Sequence, residues 1–158
     1  MLPSVNRELL DALANERKSV IEFVELLRRE QGFLTENDIE PLLILAEQKS
    51  AHAVKLNALS DLCRQQLTKI SPALNNAEIE AWFKKNSTEG LAMWQEVRVL
   101  AEQAKQINNV NGELIQMKLR NNQQTFAALS RAVSQANLYG ADGQTSYSPG
   151  SGRSLGSV

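Results

Sequence analysis

Cysteine is almost missing from this chain. Cys63 stands alone, which excludes an internal disulfide and suits a reducing compartment. Histidine is equally scarce: with His52 as the only one, any chemistry that pairs imidazoles is excluded, and the Glu-x-x-His motif of di-iron bundles is absent. His52 falls beside a helix seam and reads as a half-buried or surface residue, while Cys63 falls on a seam and reads as a small buried thiol. Neither sign of charge is in excess. A net charge of -1 leaves nothing to grip phosphates, so nucleic acid is not an expected partner. No apolar run approaches the ~20 residues that a bilayer span requires, and Met1-Leu2-Pro3-Ser4 lacks the basic and hydrophobic regions of a signal peptide. A cytoplasmic protein without membrane insertion is therefore expected. Convincing strands and glycine-rich phosphate loops are missing too. No catalytic constellation, metal site or cofactor is expected, and the chain does not read as an enzyme.

What is present is helical periodicity. The spacing predicts helices over about 4–31, 37–71, 75–85 and 88–137, in a single helical domain of residues 1–138 followed by a flexible tail, 139–158. The first seam is Leu9, Leu13, Val20, Phe23 and Leu27 with Glu16 as its only charged member, and Gly32 is the expected stop, with Phe33 and Leu34 folding back over it. The second seam runs Leu42, Ala46, Lys49, Ala53, Leu56, Ser60, Cys63, Leu67 and Ile70, ahead of Pro72. Two such helices with a short link must lie antiparallel. Asn75 or Asn76 caps a short third helix whose Ile79, Trp82 and Phe83 share a side; with Trp94 these aromatics read as a plug for the end of the bundle. An exposed docking patch is the alternative there.

The stretch from about Ser87 to Gln144 reads as the organising one. Ser87 and Thr88 offer N-cap hydroxyls, and no proline follows until Pro149. A helix of some fifty residues would be roughly 75 Å long. It carries two apolar stripes. Met93, Val97, Leu100, Ala104, Ile107, Asn111 and Leu114 form the first; Ile115, Leu119, Asn122, Phe126, Leu129 and Val133 form the second, one residue out of register. One residue is about 100° around a helix, so the two halves are expected to face different ways. A hairpin of about thirty residues' length cannot cover all of a fifty-residue rod. Part of the second stripe is therefore expected to be left for another chain. The polar seam members Lys49, Ser60, Asn111 and Asn122 either set register in a coiled coil or mark a seam that changes partner.

From Gly140 onwards the chain is mostly small and polar, a composition that cannot offset the entropy of ordering, so a disordered tail is expected. The run Asn111-Gly112-Glu113-Leu114-Ile115, then Asn121-Asn122-Gln123-Gln124, Leu129, and the closing block Leu138-Tyr139-Gly140-Ala141-Asp142-Gly143-Gln144-Thr145 resembles the C-terminal half of the FlgN family of flagellar export chaperones. The closing block is the most specific part.

The resemblance implies a cytoplasmic type III export chaperone without a cofactor. Its clients would be the two hook-filament junction proteins, held by their helical C-terminal segments and delivered to the export apparatus, with contacts to its membrane gate and soluble components. Transferred by residue, the client face would be Ile115, Leu119, Asn122, Phe126, Leu129 and Val133. The export-gate contact would be Leu138, Tyr139, Gly140, Asp142 and Gly143. Helix-in-groove masking of an aggregation-prone client tail fits that implication. A structural coiled-coil adaptor, pairing as a homodimer and lacking a client, would use the same heptads.

Overall fold

The computed structural model describes residues 4–121 and, beyond them, Ser130, Arg131, Val133 and Ser134. The described residues build an all-α protein of four helices: α1 (Ser4–Glu36), α2 (Ile39–Thr68), α3 (Asn76–Asn86) and α4 (Thr88–Asn121).

The predicted seam of α1 is buried throughout, Glu16 included. The helix does not stop at Gly32, however. It continues to Glu36, and Leu34 is fully buried. Burying a leucine is worth roughly 1.5–3 kcal/mol and a glycine within a helix costs roughly 0.5–1 kcal/mol, so packing carries the helix through. The reversal comes at Asn37, in the left-handed region at φ 57. Its N–H donates to the Leu34 carbonyl at 3.3 Å, and the Asp38 N–H donates to the Phe33 carbonyl at 2.9 Å. This is a Schellman motif with asparagine in the glycine position. It returns α2 antiparallel to α1.

The remaining caps follow the sequence closely. The Asn75 side chain accepts from the Glu78 N–H at 3.1 Å and opens α3. Ser87 ends α3 and begins α4, donating its N–H to the Phe83 carbonyl at 2.8 Å while its hydroxyl accepts the Gly90 N–H at 2.9 Å. Phe83 is fully buried and sits 5.9 Å from the Trp94 ring, with Trp82 edge-on at 5.3 Å. The aromatic plug is thus present. Its anchors are Phe83 and Trp94, whereas Trp82 is only half-buried.

The centre of the molecule is α1, not the last helix. Among the described residues α1 packs along both α2 and α4, α3 packs on α4, and α2 and α4 scarcely touch each other. The core falls into three clusters. One surrounds the α3 plug with Leu9, Leu13, Cys63, Ile79 and Met93. The middle one joins Val20, Phe23, Val24 and Leu27 to Ala53, Leu56 and Ala104. The far one holds Leu34, Leu42, Ala46, Ile115 and Val133.

Two expectations about α4 change. First, Ile115 is fully buried on the same side as Ala104 and Asn111, so the register step does not turn the helix away from the bundle. A heptad stripe on a straight helix lags by about 20° per seven residues, and three heptads from Met93 to Leu114 lag by about 60°; the one-residue step of about 100° brings Ile115 back to within about 40° of the original facing. Second, an unbroken rod reaching Asn137 does not hold. The Ser130 hydroxyl lies 3.3 Å from the Gln116 amide, whereas fourteen residues of straight helix would separate them by about 21 Å. Residues 122–129, between the end of α4 and Ser130, and the expected disordered tail lie outside the described residues.

Candidate docking site

The far cluster is built from the last turns of α1, the first turns of α2 and the end of α4. Leu34 and Leu42 are buried because the Asn37 reversal sets the end of α1 against the start of α2. Ile115 completes the group from α4, with Phe33, Ile39, Leu114 and Leu119 partly buried around it. The Lys118 ammonium donates to the Asn37 side-chain carbonyl, tying the end of α4 to the α1–α2 turn.

A polar layer separates this cluster from the middle of the bundle. Glu30 of α1, Lys49 of α2 and Asn111 of α4 are all buried. The Lys49 ammonium donates to both Glu30 carboxylate oxygens, at 3.0 and 3.2 Å. The Asn111 amide nitrogen donates to the Leu27 carbonyl at 2.8 Å and to the same carboxylate at 2.9 Å. Both partners are acceptors, which fixes the orientation of the amide and leaves its carbonyl oxygen buried without a hydrogen bond. Burial holds the Lys49 ammonium below the ordinary lysine range, and Glu30 pulls it back up. Each charge is satisfied only when three helices share one register, so Lys49 and Asn111 act as register residues.

Glu30 itself is a residue the sequence reading missed. The seam was followed only as far as Leu27, although continuing the alternation reaches Glu30 inside the predicted helix and then Leu34.

Of the residues expected on the client face, Ile115 is 0% exposed and Val133 7%, and Leu119 is half-buried. The described part of the stripe is therefore largely covered by the chain itself, because the Asn37 reversal brings Leu34 and Leu42 against Ile115 and Val133 packs with them. Asn122, Phe126 and Leu129, and the export-gate residues Leu138, Tyr139, Gly140, Asp142 and Gly143, lie outside the described residues. Ser130, Arg131, Val133 and Ser134 are helical. Ser130 meets Gln116, and a methyl group at Gly112 would stand 3.6 Å from Val133 Cγ1. Partners on α4 fall in number as residues rise from 130 to 133, so this turn runs antiparallel to α4.

A second apolar surface escaped the sequence reading. Leu43, Ile44, Val54 and Leu62 are exposed on α2, with Ile44 at 65% and Val54 at 66%. At 100° per residue Ile44, Ala51, Val54, Ala58 and Leu62 fall in an arc of about 80°, opposite the buried face of Leu42, Leu45, Lys49, Ala53 and Leu56. Reading the seam alone discarded this face.

The isolated reactive side chains are accounted for by packing. His52 Nε2 donates to the Ser19 carbonyl at 2.8 Å, and its ring stacks on Phe23 at 5.8 Å. It borders a surface groove of about 510 Å³ between α1 and α2, whose rim of Glu22, Glu25, Arg29 and Lys55 mixes both signs of charge. Burial, then the neighbouring Glu16, push the Cys63 thiol far up, which makes it a poor nucleophile. Among the described residues no group of three or more His, Cys, Asp or Glu side chains could hold a metal ion. No helix among them is long and apolar enough to cross a membrane.

The family model described as FlgN protein matches residues 1–147. The Flagella synthesis protein FlgN of Escherichia coli (strain K12) is 31% identical over 153 residues, covering 94% of this chain and 95% of the relative. No solved structure matches the chain. A family match over most of the length and a relative 31% identical across it assign the chain to the FlgN protein family.

Proposed function

We propose that the protein is a cytoplasmic flagellar type III export chaperone. It binds the C-terminal helical segments of the two hook-filament junction proteins, prevents their premature assembly and delivers them to the export apparatus. The observation that carries this reading is membership of the FlgN family over nearly the whole chain, alongside a relative named for flagella synthesis. The edge of the far cluster supports it physically, as half-buried Leu114 and Leu119 leave an apolar margin that suits helix-in-groove recognition. The face assigned to the client is the second stripe, Ile115, Leu119, Asn122, Phe126, Leu129 and Val133, and the contact with the export gate is the Leu138 to Gly143 block, centred on Tyr139.

Calorimetric titration with C-terminal peptides of the same organism's junction proteins tests the reading. Saturable binding with a negative heat-capacity change, weakened by Phe126→Ala with Leu129→Ala, is expected. Absence of binding to either peptide would reject it. Tyr139→Ala is expected to leave peptide binding intact and to reduce export of the clients; loss of peptide binding in that variant would break the division between the two sites.

A second reading, an adaptor that pairs with its own copy, draws on one observation: the exposed stripe of α2 opposite its buried face. A molecular mass that rises with concentration, without affinity for either peptide, would favour it.

A further inference from the structure

We propose that the cleft between α2 and α4 at the α3 end binds an ω-amino carboxylate, a ligand with an ammonium group at one end of a short methylene chain and a carboxylate at the other. The inference does not rest on the chaperone reading, and the failure of either leaves the other standing.

The cleft exists because α2 and α4 each serve as neighbours of α1 or α3 and scarcely touch each other. At the α3 end the gap between them is about 290 Å³, with residues of all four helices around it. An ω-amino acid of nine heavy atoms takes the room of about nine waters, roughly 270 Å³ at about 30 Å³ each. The walls are set before any ligand arrives. Ile79 and Trp94 belong to the aromatic plug. The turn into α3 is held by the Ser71 hydroxyl, which donates to the Glu78 carboxylate at 2.7 Å and accepts the Asn75 N–H at 3.0 Å.

The lining runs from one charge to the other across an apolar middle. Glu16 of α1 lies innermost, 6% exposed. Burial raises its carboxyl above the ordinary value, against a hydrogen bond from the Cys63 thiol and the charge of Arg64. A thiol is a weak donor, and a carboxylate offers about four acceptor positions, so an ammonium supplies the strong donors that this group takes. Leu13, Ile79, Trp94 and Val97 form the apolar middle, all of them buried. At the outer edge stand two guanidinium groups. Arg98 is exposed and lies over the Trp94 ring at 4.7 Å, while half-buried Arg64 donates to Asp61 at 3.2 Å. Guanidinium groups match a carboxylate through paired N–H donors.

This order of charges disfavours simpler ligands. An alkylammonium alone meets two cations at the edge, and a fatty carboxylate alone sets a methyl group against a buried carboxyl. A free ω-amino acid and a lysine at the C-terminus of a protein chain carry the same spacing of ammonium and carboxylate.

The probe is 6-aminohexanoate, titrated into the full chain and followed by heteronuclear NMR. Saturable shifts centred on the Trp94 indole and the Val97 methyls are expected, with a Kd of about 1 mM or below, as suits nine heavy atoms. Hexanoate and hexylamine, each lacking one charge, should bind at least about tenfold more weakly. Glu16→Gln and, separately, Arg98→Gln should each weaken 6-aminohexanoate by at least about tenfold, with circular dichroism verifying the fold. A peptide ending in lysine separates the sources: binding tighter than 6-aminohexanoate, and lost on amidating its carboxylate, identifies a protein terminus, whereas weaker binding identifies the free ω-amino acid. No saturation below about 10 mM, shifts centred away from Trp94, or equal binding of hexanoate or hexylamine would each overturn the site. So would a folded Glu16→Gln protein that binds the probe as the parent does.

Discussion

The two ends of the bundle are closed by different means. At the α3 end the closure is local and aromatic: Phe83 lies between Trp82 and Trp94, and the Arg98 guanidinium sits 4.7 Å from the Trp94 ring centre. Gly90 is so tightly enclosed there that a Cβ would stand 2.8 Å from Phe83 Cε1 and 2.9 Å from Leu10 Cδ2. At the far end Val133 and Ser130 pack back on the end of α4, and a Cβ at Gly112 would meet Val133 at an ordinary 3.6 Å. Short connections and interlocked rings make the first end permanent. The second has looser packing at its glycine and a polar layer isolating it from the rest of the core. The contrast separates an end locked by aromatic packing from one held in register by buried charge.

The largest effect expected is Phe83→Ala, which should cost about 3–5 kcal/mol by removing the anchor of the plug. Chemical denaturation measures it, and a loss below about 1 kcal/mol would mean that α3 is not structural. A loss of similar size, about 3–5 kcal/mol, is expected of Lys49→Met, because it strands the Glu30 carboxylate in the core. Replacing both, Glu30→Leu with Lys49→Met, should recover most of that stability while loosening helix register; a double variant no more stable than the single would contradict the pairing. Next comes the glycine pair. Gly90→Ala should destabilise by about 1–3 kcal/mol through overpacking, despite the better helix propensity of alanine. Gly112→Ala should change stability by less than about 1 kcal/mol. Equal losses at the two positions would abolish the difference between the ends.

The smallest effect concerns pH. Burial raises the Glu16 carboxyl above its ordinary value of 4.5, against the Cys63 hydrogen bond and the charge of Arg64. Between 4.5 and the folded-state value the native protein binds more protons than the unfolded chain, so stability falls as pH rises through that window. The contribution is complete below 4.5 and lost above the folded value. Glu16→Gln should therefore be more stable than the parent at about pH 7 and equal to it at about pH 4, as read from urea midpoints. A lower midpoint at neutral pH would show that the ionised carboxylate is stabilising.

Much of this architecture was legible along the chain because the signals are local. Capping side chains act within three residues, and Asn75 and Ser87 begin their helices where expected. Seam periodicity needs only one helix at a time, so Leu9, Leu13, Phe23, Leu42 and Leu56 were placed in the core correctly. Gly32 misled because its local preference for ending a helix is smaller than the gain from burying Leu34, which depends on α2 and α4. Glu30 was missed because the seam was followed only as far as Leu27. The outer face of α2 was passed over because a helix with apolar residues on opposite sides gives two readings, and only its neighbours show which side is covered.

The sequence by itself determined the helical class, the antiparallel pairing of the first two helices, the aromatic plug and the family, since each rests on neighbouring residues or a contiguous motif. Tertiary structure alone decided that α1 is central, that Glu30, Lys49 and Asn111 meet in one layer, and that Val133 returns to Gly112. These are choices among several packings of the same amphipathic helices. They turn on shape and buried charge summed over contacts far apart in the chain, which no local periodicity encodes.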